Sequence, residues 1–278
     1  MSRNIMLTIA FEGTRYCGWQ LQPDAPTVQE FIERATEKLT GVHHRVLCAS
    51  RTDSGVHALG QVASFQTECS IPAERFRRGL QRFLPPDISI VQSQEVSADF
   101  HATYSAIRKR YRYLLFDGEV MPPFLRNLAY HHRSELNVSA MQRALPFLLG
   151  THDFRCFETQ YPNKATSVRT IKEATLQRVP VWSMWESAHE WIAVDARARQ
   201  EPKLPLICFE IMADGFLYNM VRAIVGTLIQ VGRSQKPPEH LADVIASQDR
   251  SRAGTTVPAA GLYLVQVDYP PEQLQAPQ

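Results

Sequence analysis

The chain has 278 residues, of which 44% are hydrophobic and 21% are charged. These values are ordinary for a globular protein, and a chain of this length can bury a sizeable core without disulfides or metals. The formal net charge of +2 excludes a histone-like polycation. It does not exclude a nucleic-acid-binding protein, because phosphate contacts depend on local clusters of Lys and Arg.

Five cysteines are scattered along the chain, and no two of them form a Cys-x-x-Cys pair. An odd count with this spacing argues against a disulfide framework and a structural zinc site. The apolar run from Ile5 to Phe11 is too short for a signal peptide or a membrane span. We therefore expect a soluble, cytoplasmic protein with reduced thiols.

The first part of the chain predicts alternating strands and helices, because short apolar runs are separated by amphipathic segments and turn residues. The first helix has a capping box in its sequence, Thr27 followed by Glu30 three residues later, and Gly41 marks its end. Pro85-Pro86 marks the end of the second helix. The expected strands are 5–11, 45–49 and 88–96, and the expected helices are 27–41 and 73–84.

The second part repeats this kind of alternation, so the chain predicts two α+β halves of similar order. We expect an N-terminal half at 1–104, a C-terminal half at 105–269 and a disordered tail at 270–278. Three of the four tryptophans lie in the segment 181–205, which we interpret as a structured insertion. The expected strands are 106–116, 167–178, 206–212 and 261–267, and the expected helices are 139–149, 216–232 and 238–247.

The segment Ser50-Arg-Thr-Asp-Ser-Gly-Val-His57 follows a predicted strand. A strand end of this kind presents Asp53 at the surface of a cleft, and Gly55 lets the backbone turn or approach a ligand closely. The alternative is an ordinary turn, in which Asp and Ser hydrogen-bond to their own backbone. The residues alone leave both interpretations open.

A cationic segment with interleaved aromatic residues, Arg108-Lys-Arg-Tyr-Arg-Tyr113, forms part of another predicted strand. Strand alternation places Lys109, Tyr111 and Tyr113 on one face and the three arginines on the other. Such a strand suits RNA, because guanidinium groups hold phosphates and aromatic rings stack on unpaired bases. The alternative is a solvated sheet face, since tyrosine is a common strand residue.

The predicted helix 216–232 is apolar nearly all round, which indicates burial, yet Arg222 lies in its middle. A buried guanidinium is costly unless a carboxylate pairs with it. Asp53 is the natural partner if both residues face an active cleft. The alternative is that Arg222 reaches solvent along one side of the helix.

Three arginines, Arg75, Arg78 and Arg82, share one face of a predicted helix and form either a phosphate-binding stripe or a solvated face. The histidines do not have the spacing of a metal site, and no His-Glu-x-x-His motif occurs. Glycine-rich loops for nucleotides and the Gly-x-Ser-x-Gly motif of hydrolases are also absent from the sequence. The sequence therefore predicts no metal and no nucleotide cofactor.

Taken together, these segments resemble the tRNA pseudouridine synthase A family. The resemblance extends over nearly the whole chain, and a series of motifs in the expected order is more specific than any one of them. Ser50 and Ser54 stand where the family commonly has Gly and Ala. The motifs are Phe11-Glu-Gly-Thr-Arg-Tyr-Cys-Gly-Trp-Gln20, Thr27-Val-Gln-Glu, Ser50-Arg-Thr-Asp-Ser-Gly-Val-His-Ala58 with Gly60-Gln-Val, Phe100-His-Ala, Lys109-Arg-Tyr-Arg-Tyr, His152-Asp-Phe, Arg169-Thr-Ile, Phe216-Leu-Tyr-Asn-Met-Val-Arg-x-Ile-Val-Gly and Gly261-Leu-Tyr-Leu.

The resemblance implies an α+β fold with two similar halves, each an antiparallel sheet with packed helices, on either side of a central basic cleft. It also implies an isomerase that converts uridine to pseudouridine at positions 38, 39 and 40 of the tRNA anticodon stem-loop. The implied enzyme is a cytoplasmic homodimer that binds tRNA and needs no cofactor and no metal.

The resemblance also assigns roles to four residues. Asp53 would be the catalytic carboxylate, acting either as a nucleophile at C1′ or as a base at C2′. Arg222 would pair with Asp53, keep it ionised and fix its direction. Tyr111 would pack against the target base and assist the final deprotonation at C5, and Arg51 would enter the RNA stack and hold the flipped nucleotide out.

Three other functions share features with this sequence. Asp53-Ser-Gly is similar to the catalytic triplet of aspartic proteases, but that chemistry needs two carboxylates and the chain has no second triplet. A non-catalytic RNA-binding protein would be expected to lack Asp53, Tyr111 or Arg222, and all three are present. A paralogous pseudouridine synthase with another RNA target is the remaining alternative, because the shape of the cleft decides which uridine enters.

Overall fold

The computed structural model describes residues 2–159, 166–179 and 205–276. The chain forms two compact units. The first unit comprises Met1–Tyr111, Met212–Gly215 and Leu262–Gln278, and the second comprises Arg112–Ile211 and Phe216–Gly261. The insertion expected at 181–205 lies, except for Pro205, outside the described residues.

Strands and helices are both present in quantity, so the expected α+β class is confirmed. None of the described helices is long and apolar enough to cross a membrane. The helices are α1 (Val28–Thr40), α2 (Phe76–Gln81), α3 (Val138–Ala144), α4 (Met220–Gly232) and α5 (His240–Ser247). The strands are β1 (Arg3–Phe11), β2 (Leu47–Cys48), β3 (His57–Thr67), β4 (Ile88–Val96), β5 (Arg108–Phe116), β6 (Tyr130–His131), β7 (Gly150–Asp153), β8 (Val168–Val179), β9 (Leu206–Ala213) and β10 (Leu262–Asp268).

The sheet of the first unit has the strand order β4-β1-β3-β10, with β2 paired to β3. The strand β1 lies antiparallel to both of its neighbours, and Ile5 is opposite Phe65 on β3. The strand β10 runs parallel to β3, with Tyr263 opposite His57. The sheet is therefore mixed and not purely antiparallel as expected.

The central strand β3 was missed by the sequence analysis, which proposed no element at 57–67. Apolar alternation is obscured there because Gln61 and Ser64 are polar but almost fully buried, and because Gly60 imitates a turn. The glycine is required by packing, since a Cβ at Gly60 would lie 2.4 Å from the carbonyl oxygen of Val265 on β10. Parallel neighbours at that point approach too closely for any side chain.

The expected capping box of α1 is wrong, because Thr27 makes no side-chain hydrogen bond to the helix. Backbone carbonyls cap the helix instead. The N–H of Val28 donates to the oxygen of Gly18 (3.2 Å), and the N–H of Gln29 donates to the oxygen of Trp19 (3.0 Å). The start of α1 is therefore fixed by the loop that follows β1. The C-terminus ends as expected, at a left-handed Gly41.

In the second unit the strand order is β5-β9-β8-β7, with β6 paired parallel to β5. The strands β5 and β9 also contribute residues to the first unit, so the division between units runs through both of them. The helix α4 is buried along nearly its whole length, as its apolar sequence predicts, and α3 packs against it.

The division of the chain differs from the halves expected at 1–104 and 105–269. The last strand returns to the first unit because β10 pairs with β3, an interaction between residues more than 190 positions apart that no local pattern signals. The expected disordered tail is also different, since Pro271–Leu274 forms a 3₁₀ turn. The carbonyl oxygen of Gln273 in this turn accepts a hydrogen bond from the N–H of Ser97 (3.2 Å).

Candidate active site

The segment around Asp53 is held by the loop that follows β1. The N–H of Trp19 donates to the carbonyl oxygen of Thr52 (3.0 Å), and the N–H of Gly55 donates to that of Tyr16 (3.3 Å). The hydroxyl of Ser54 donates to the same oxygen of Tyr16 (3.2 Å). Backbone groups on both sides of Asp53 are therefore fixed by one neighbouring loop. Asp53 itself is half-buried.

Two glycines in that loop allow this close approach. Gly18 has φ +87°, and a Cβ there would lie 2.5 Å from the carbonyl oxygen of Thr52. A Cβ at Gly13 would lie 2.0 Å from the carbonyl oxygen of Val56. Both contacts are with backbone atoms, which cannot rotate away. Close packing therefore explains why the motif has glycine at these two positions.

On its other side the segment is fixed to β3. The side-chain amide of Gln61, which is fully buried, accepts from the N–H of Ser50 (3.3 Å) and donates to the oxygen of the same residue (2.6 Å). The sequence analysis missed Gln61, although the Gly-Gln-Val motif that contains it was a usable signal. This pair of hydrogen bonds replaces the sheet ladder at the point where the segment turns away from β3.

Tyr111 on β5 is close to this segment, and its side chain is 7% exposed. Its hydroxyl shares a hydrogen bond with the hydroxyl of Ser50 (2.9 Å). Burial raises the pKa of Tyr111 to about 12, the hydrogen bond to Ser50 lowers it, and the negative charge of Asp53 raises it again. The structure therefore brings Asp53 and Tyr111 within electrostatic range of each other, and Tyr111 keeps its proton at neutral pH.

Both serines that depart from the family pattern take part in these contacts. Ser50 bonds to the hydroxyl of Tyr111, and Ser54 bonds to the backbone of Tyr16. A glycine at the first position and an alanine at the second would make neither hydrogen bond. The departures therefore add polar contacts to the segment that carries Asp53.

We expect the free energy of unfolding to fall as the pH rises above 10, with Tyr111 contributing. The folded state holds the Tyr111 proton more tightly than the unfolded chain, because folding raises its pKa from 10.0 to about 12. This stabilisation is complete below the unfolded pKa and is lost as the pH rises through the folded one. Between pH 10 and pH 11 the free energy of unfolding of the wild type should therefore fall by about 1 kcal/mol more than that of Tyr111→Phe. Urea unfolding at both pH values measures the difference, and equal losses would contradict it.

A second buried tyrosine connects the segment to β4. The hydroxyl of Tyr16 donates to Asp87 (2.6 Å), and Arg15 pairs with the same carboxylate (2.8 Å). Burial is the main cause that raises the pKa of Tyr16 to about 12. Because the carbonyl of Tyr16 holds Gly55 and Ser54, this network extends from Asp87, just before β4, to the residues that follow Asp53. Sequence reasoning missed it, since the two residues are 71 positions apart.

Two cations lie near the segment. Lys109 donates from Nζ to the carbonyl oxygen of Ala49 (2.6 Å), and Arg51 is exposed at the surface. The pKa of the half-buried thiol of Cys48 is raised to about 11 by desolvation and lowered in part by the charges of Lys109 and Arg51. Both cations therefore act on Cys48, at the end of the strand that precedes the segment of Asp53.

The arginines of β5 do not form the free cationic face that the alternation predicted. Arg108 pairs with Asp268 on β10 (2.9 Å), and Nε of Arg112 donates to Glu210 on β9 (2.7 Å). Their charges are therefore balanced by neighbouring strands. Lys109 and Tyr111 lie on the other face of β5. They supply the cation and the aromatic ring that reach the segment around Asp53.

Arg222 lies in the first turn of α4 and not in mid-helix, because Asn219 has a left-handed φ of 61° and the helix begins only at Met220. Its Nε donates to the carbonyl oxygen of Val257 (2.7 Å), and a terminal nitrogen donates to the side chain of Asn219 (2.7 Å). The guanidinium is half-buried and held in direction. Asp53 and Arg222 belong to different units, and their pairing stays a prediction.

Backbone packing fixes the loop that holds Arg222. A Cβ at Gly226 would lie 1.9 Å from the carbonyl oxygen of Thr255, and one at Gly254 would lie 2.3 Å from the carbonyl carbon of Gly226. The N–H of Gly254 also donates to the hydroxyl of Thr227 on α4 (2.8 Å). The loop thus lies directly on the helix and places the carbonyl of Val257 where Arg222 needs an acceptor.

The predicted arginine stripe is divided. Arg75 lies in a 3₁₀ turn before α2, whereas Arg78 and Arg82 line a shallow surface groove together with Arg77, Gln81 and Ile90. The structure leaves both interpretations of this stripe open. Within the described residues, no group of three or more His, Cys, Asp or Glu side chains could hold a metal ion. All five cysteines are free thiols.

Comparison of the sequence with known proteins identifies its family. The sequence profile of PseudoU_synth_1, described as tRNA pseudouridine synthase, matches residues 7–105 and 144–270. The tRNA pseudouridine synthase A of Acetivibrio thermocellus is 47% identical over 267 residues, which cover 96% of this chain and all of the relative. The enzyme of the same name from Thermoanaerobacter sp. (strain X514) is 40% identical with the same coverage.

A solved structure, titled "Crystal Structure of a Cbf5-Nop10-Gar1 Complex", aligns with 93% of this chain and 57% of its own at 9% identity and a TM-score of 0.32. This likeness is too weak to support an argument. The profile match and the full-length relatives are sufficient by themselves, and they agree with the motif series. The chain belongs to the tRNA pseudouridine synthase family.

Proposed function

We propose that this protein isomerises uridine to pseudouridine at positions 38, 39 and 40 of the tRNA anticodon stem-loop. The observation that carries the proposal is the half-buried Asp53 beside Tyr111, in a segment that hydrogen bonds hold to the loop after β1 and to β3, in a chain of this family. A carboxylate fixed at a strand end, with a neutral phenol in range, suits attack on or proton removal from a ribose.

The reaction breaks the bond from N1 to C1′, turns the uracil ring and forms a bond from C5 to C1′. The proton on C5 leaves, and N1 gains a proton, so atoms and charge balance without an oxidant or phosphate donor. Asp53 acts on the sugar, either by bonding to C1′ or by removing a proton from C2′. Both routes need an ionised carboxylate in a fixed direction, and the backbone hydrogen bonds around Asp53 supply the direction.

Tyr111 enters this scheme as a neutral phenol. Its raised pKa disfavours a tyrosinate at neutral pH, so its role is to pack against the uracil and to hydrogen-bond. It takes part in the C5 deprotonation only as a proton relay: the phenol oxygen takes the C5 proton while its own proton passes to Ser50, and the hydroxyl proton of Ser50 passes to solvent water.

Two arginines complete the proposal. Arg222 pairs with Asp53 and keeps it ionised, and the contacts of its guanidinium with Val257 and Asn219 leave it pre-oriented. Arg51, which is exposed two residues before Asp53, enters the RNA stack and holds the flipped nucleotide out.

We also propose that two copies of the chain act together on tRNA in the cytoplasm, where the unmodified substrate is found. The relatives are bacterial enzymes named for tRNA, which supports the substrate and the compartment. Sedimentation of the protein alone and with tRNA tests the dimer.

The activity is tested by tritium release from C5-labelled uridine in unmodified tRNA. We expect release from tRNA that carries uridine at position 38, 39 or 40 and none from a matched tRNA with cytidine at all three. Release from both tRNAs would assign the enzyme to another uridine, as expected for a paralogous synthase. Release from neither, with the protein folded and tRNA bound, would favour a non-catalytic RNA-binding protein.

A further inference from the structure

An exposed aromatic ring projects from the loop between β4 and β5. Tyr104 is 84% exposed, the largest value for an aromatic side chain among the described residues. Its ring lies against that of His101, with centroids 4.3 Å apart and planes tilted by 40°. A surface tyrosine usually lays its ring on apolar neighbours to remove area from water. Here one face is supported by an imidazole and the rest is open.

The loop that presents this ring is strongly fixed. The side chain of Asn4 donates to the oxygen of Phe100 (2.8 Å), and the hydroxyl of Tyr269 donates to the oxygen of Ala102 (2.7 Å). The N–H of Thr103 donates to Nδ1 of His101 (3.1 Å), which sets the position of the imidazole. The exposed ring is therefore carried by an ordered backbone, and a ligand would not have to order it.

The same loop is bonded to β2, which leads into the segment that carries Asp53. The hydroxyl of Thr103 donates to the carbonyl oxygen of Cys48 (2.6 Å), and the next carbonyl, that of Ala49, accepts from Lys109 (2.6 Å). Arg51 follows two residues later and is exposed. The loop that carries the open aromatic pair is thus bonded to the strand that leads to Arg51 and Asp53, within one compact unit.

We propose that Tyr104 and His101 form a stacking platform for an unpaired nucleobase of the RNA substrate, beside the uridine that reacts. The inference rests on the proposed function. Aromatic rings recognise unpaired bases by stacking, and cations at the edge hold the phosphates between them. The platform accepts any base, because every base has a π-face, so it contributes to RNA affinity and positioning and not to the chemical step.

The test is single-turnover pseudouridine formation on unmodified tRNA at increasing enzyme concentrations, for the wild type and for Tyr104→Ala, Tyr104→Phe and Tyr104→Trp. We expect Tyr104→Ala to raise the half-saturating concentration by about tenfold to one hundredfold, with the maximal rate changed by less than about threefold. The Phe and Trp variants keep a π-face and should stay near the wild type. The added Trp emission of Tyr104→Trp should be quenched when tRNA binds.

The control is Phe124→Ala, which removes an aromatic ring that is 63% exposed in the second unit. It should leave the half-saturating concentration unchanged. An unchanged value for Tyr104→Ala, or a loss in Tyr104→Phe equal to that in Tyr104→Ala, would overturn the platform. A wild type without turnover would instead refute the proposed function, so the two failures are distinguishable.

Discussion

Asp53→Asn is expected to abolish pseudouridine formation, with a fall in turnover of at least about a thousandfold. The amide has the size of the carboxylate and keeps the backbone contacts of Thr52 and Gly55, but it can neither bond to C1′ nor remove a proton from C2′. The affinity for tRNA should change by less than about threefold, because phosphate and base contacts come from other side chains. Tritium release and a filter-binding titration measure the two effects.

Asp99→Asn is the matched control, the same substitution at an exposed position of the first unit. It should retain full turnover. The assignment of Asp53 fails if Asp53→Asn keeps turnover within about tenfold of the wild type, a loss far too small for removal of an essential acid–base or nucleophilic group. It also fails if the variant folds normally but no longer binds tRNA, since the residue would then act in binding.

Local patterns predicted those parts of the molecule that are determined locally. The apolar sequence of α4 indicated its burial, and most strands and helices lie within a few residues of their predicted positions. The motif around Asp53 indicated a turn after a strand, and the left-handed φ of Gly55 (76°) shows why a glycine stands in it. The family resemblance then connected segments that no local rule connects.

What the sequence did not predict depends on contacts between distant residues. The strand β3 was missed because the polar Gln61 interrupts its apolar pattern. This side chain is buried nevertheless, since it forms two hydrogen bonds with the backbone of Ser50. The ion pairs of Arg108 and Arg112 arise from neighbouring strands whose positions were unknown, so the sequence left an RNA-binding face and a solvated face as the alternatives. The place of β10 beside β3 likewise follows from pairing across the chain.

The tightest of these distant contacts leads to the second large expected effect, that of Gly226→Ala on stability. Alanine improves helix propensity by about 1 kcal/mol. Its Cβ, however, would meet the carbonyl oxygen of Thr255 at 1.9 Å, and the loop must then move away from α4. We expect a net loss of about 1–3 kcal/mol in the free energy of unfolding, measured by urea denaturation.

Gly232→Ala separates this packing effect from propensity, because it makes the same change in the same helix. Its Cβ would meet the sulfur of Met141 at 2.8 Å, and a flexible thioether can shift where a backbone carbonyl cannot. We expect its stability to stay within about 1 kcal/mol of the wild type. Equal stability of Gly226→Ala and Gly232→Ala would mean that the loop is not held against α4. Packing would then not fix the carbonyl oxygen of Val257, which accepts the hydrogen bond from Arg222.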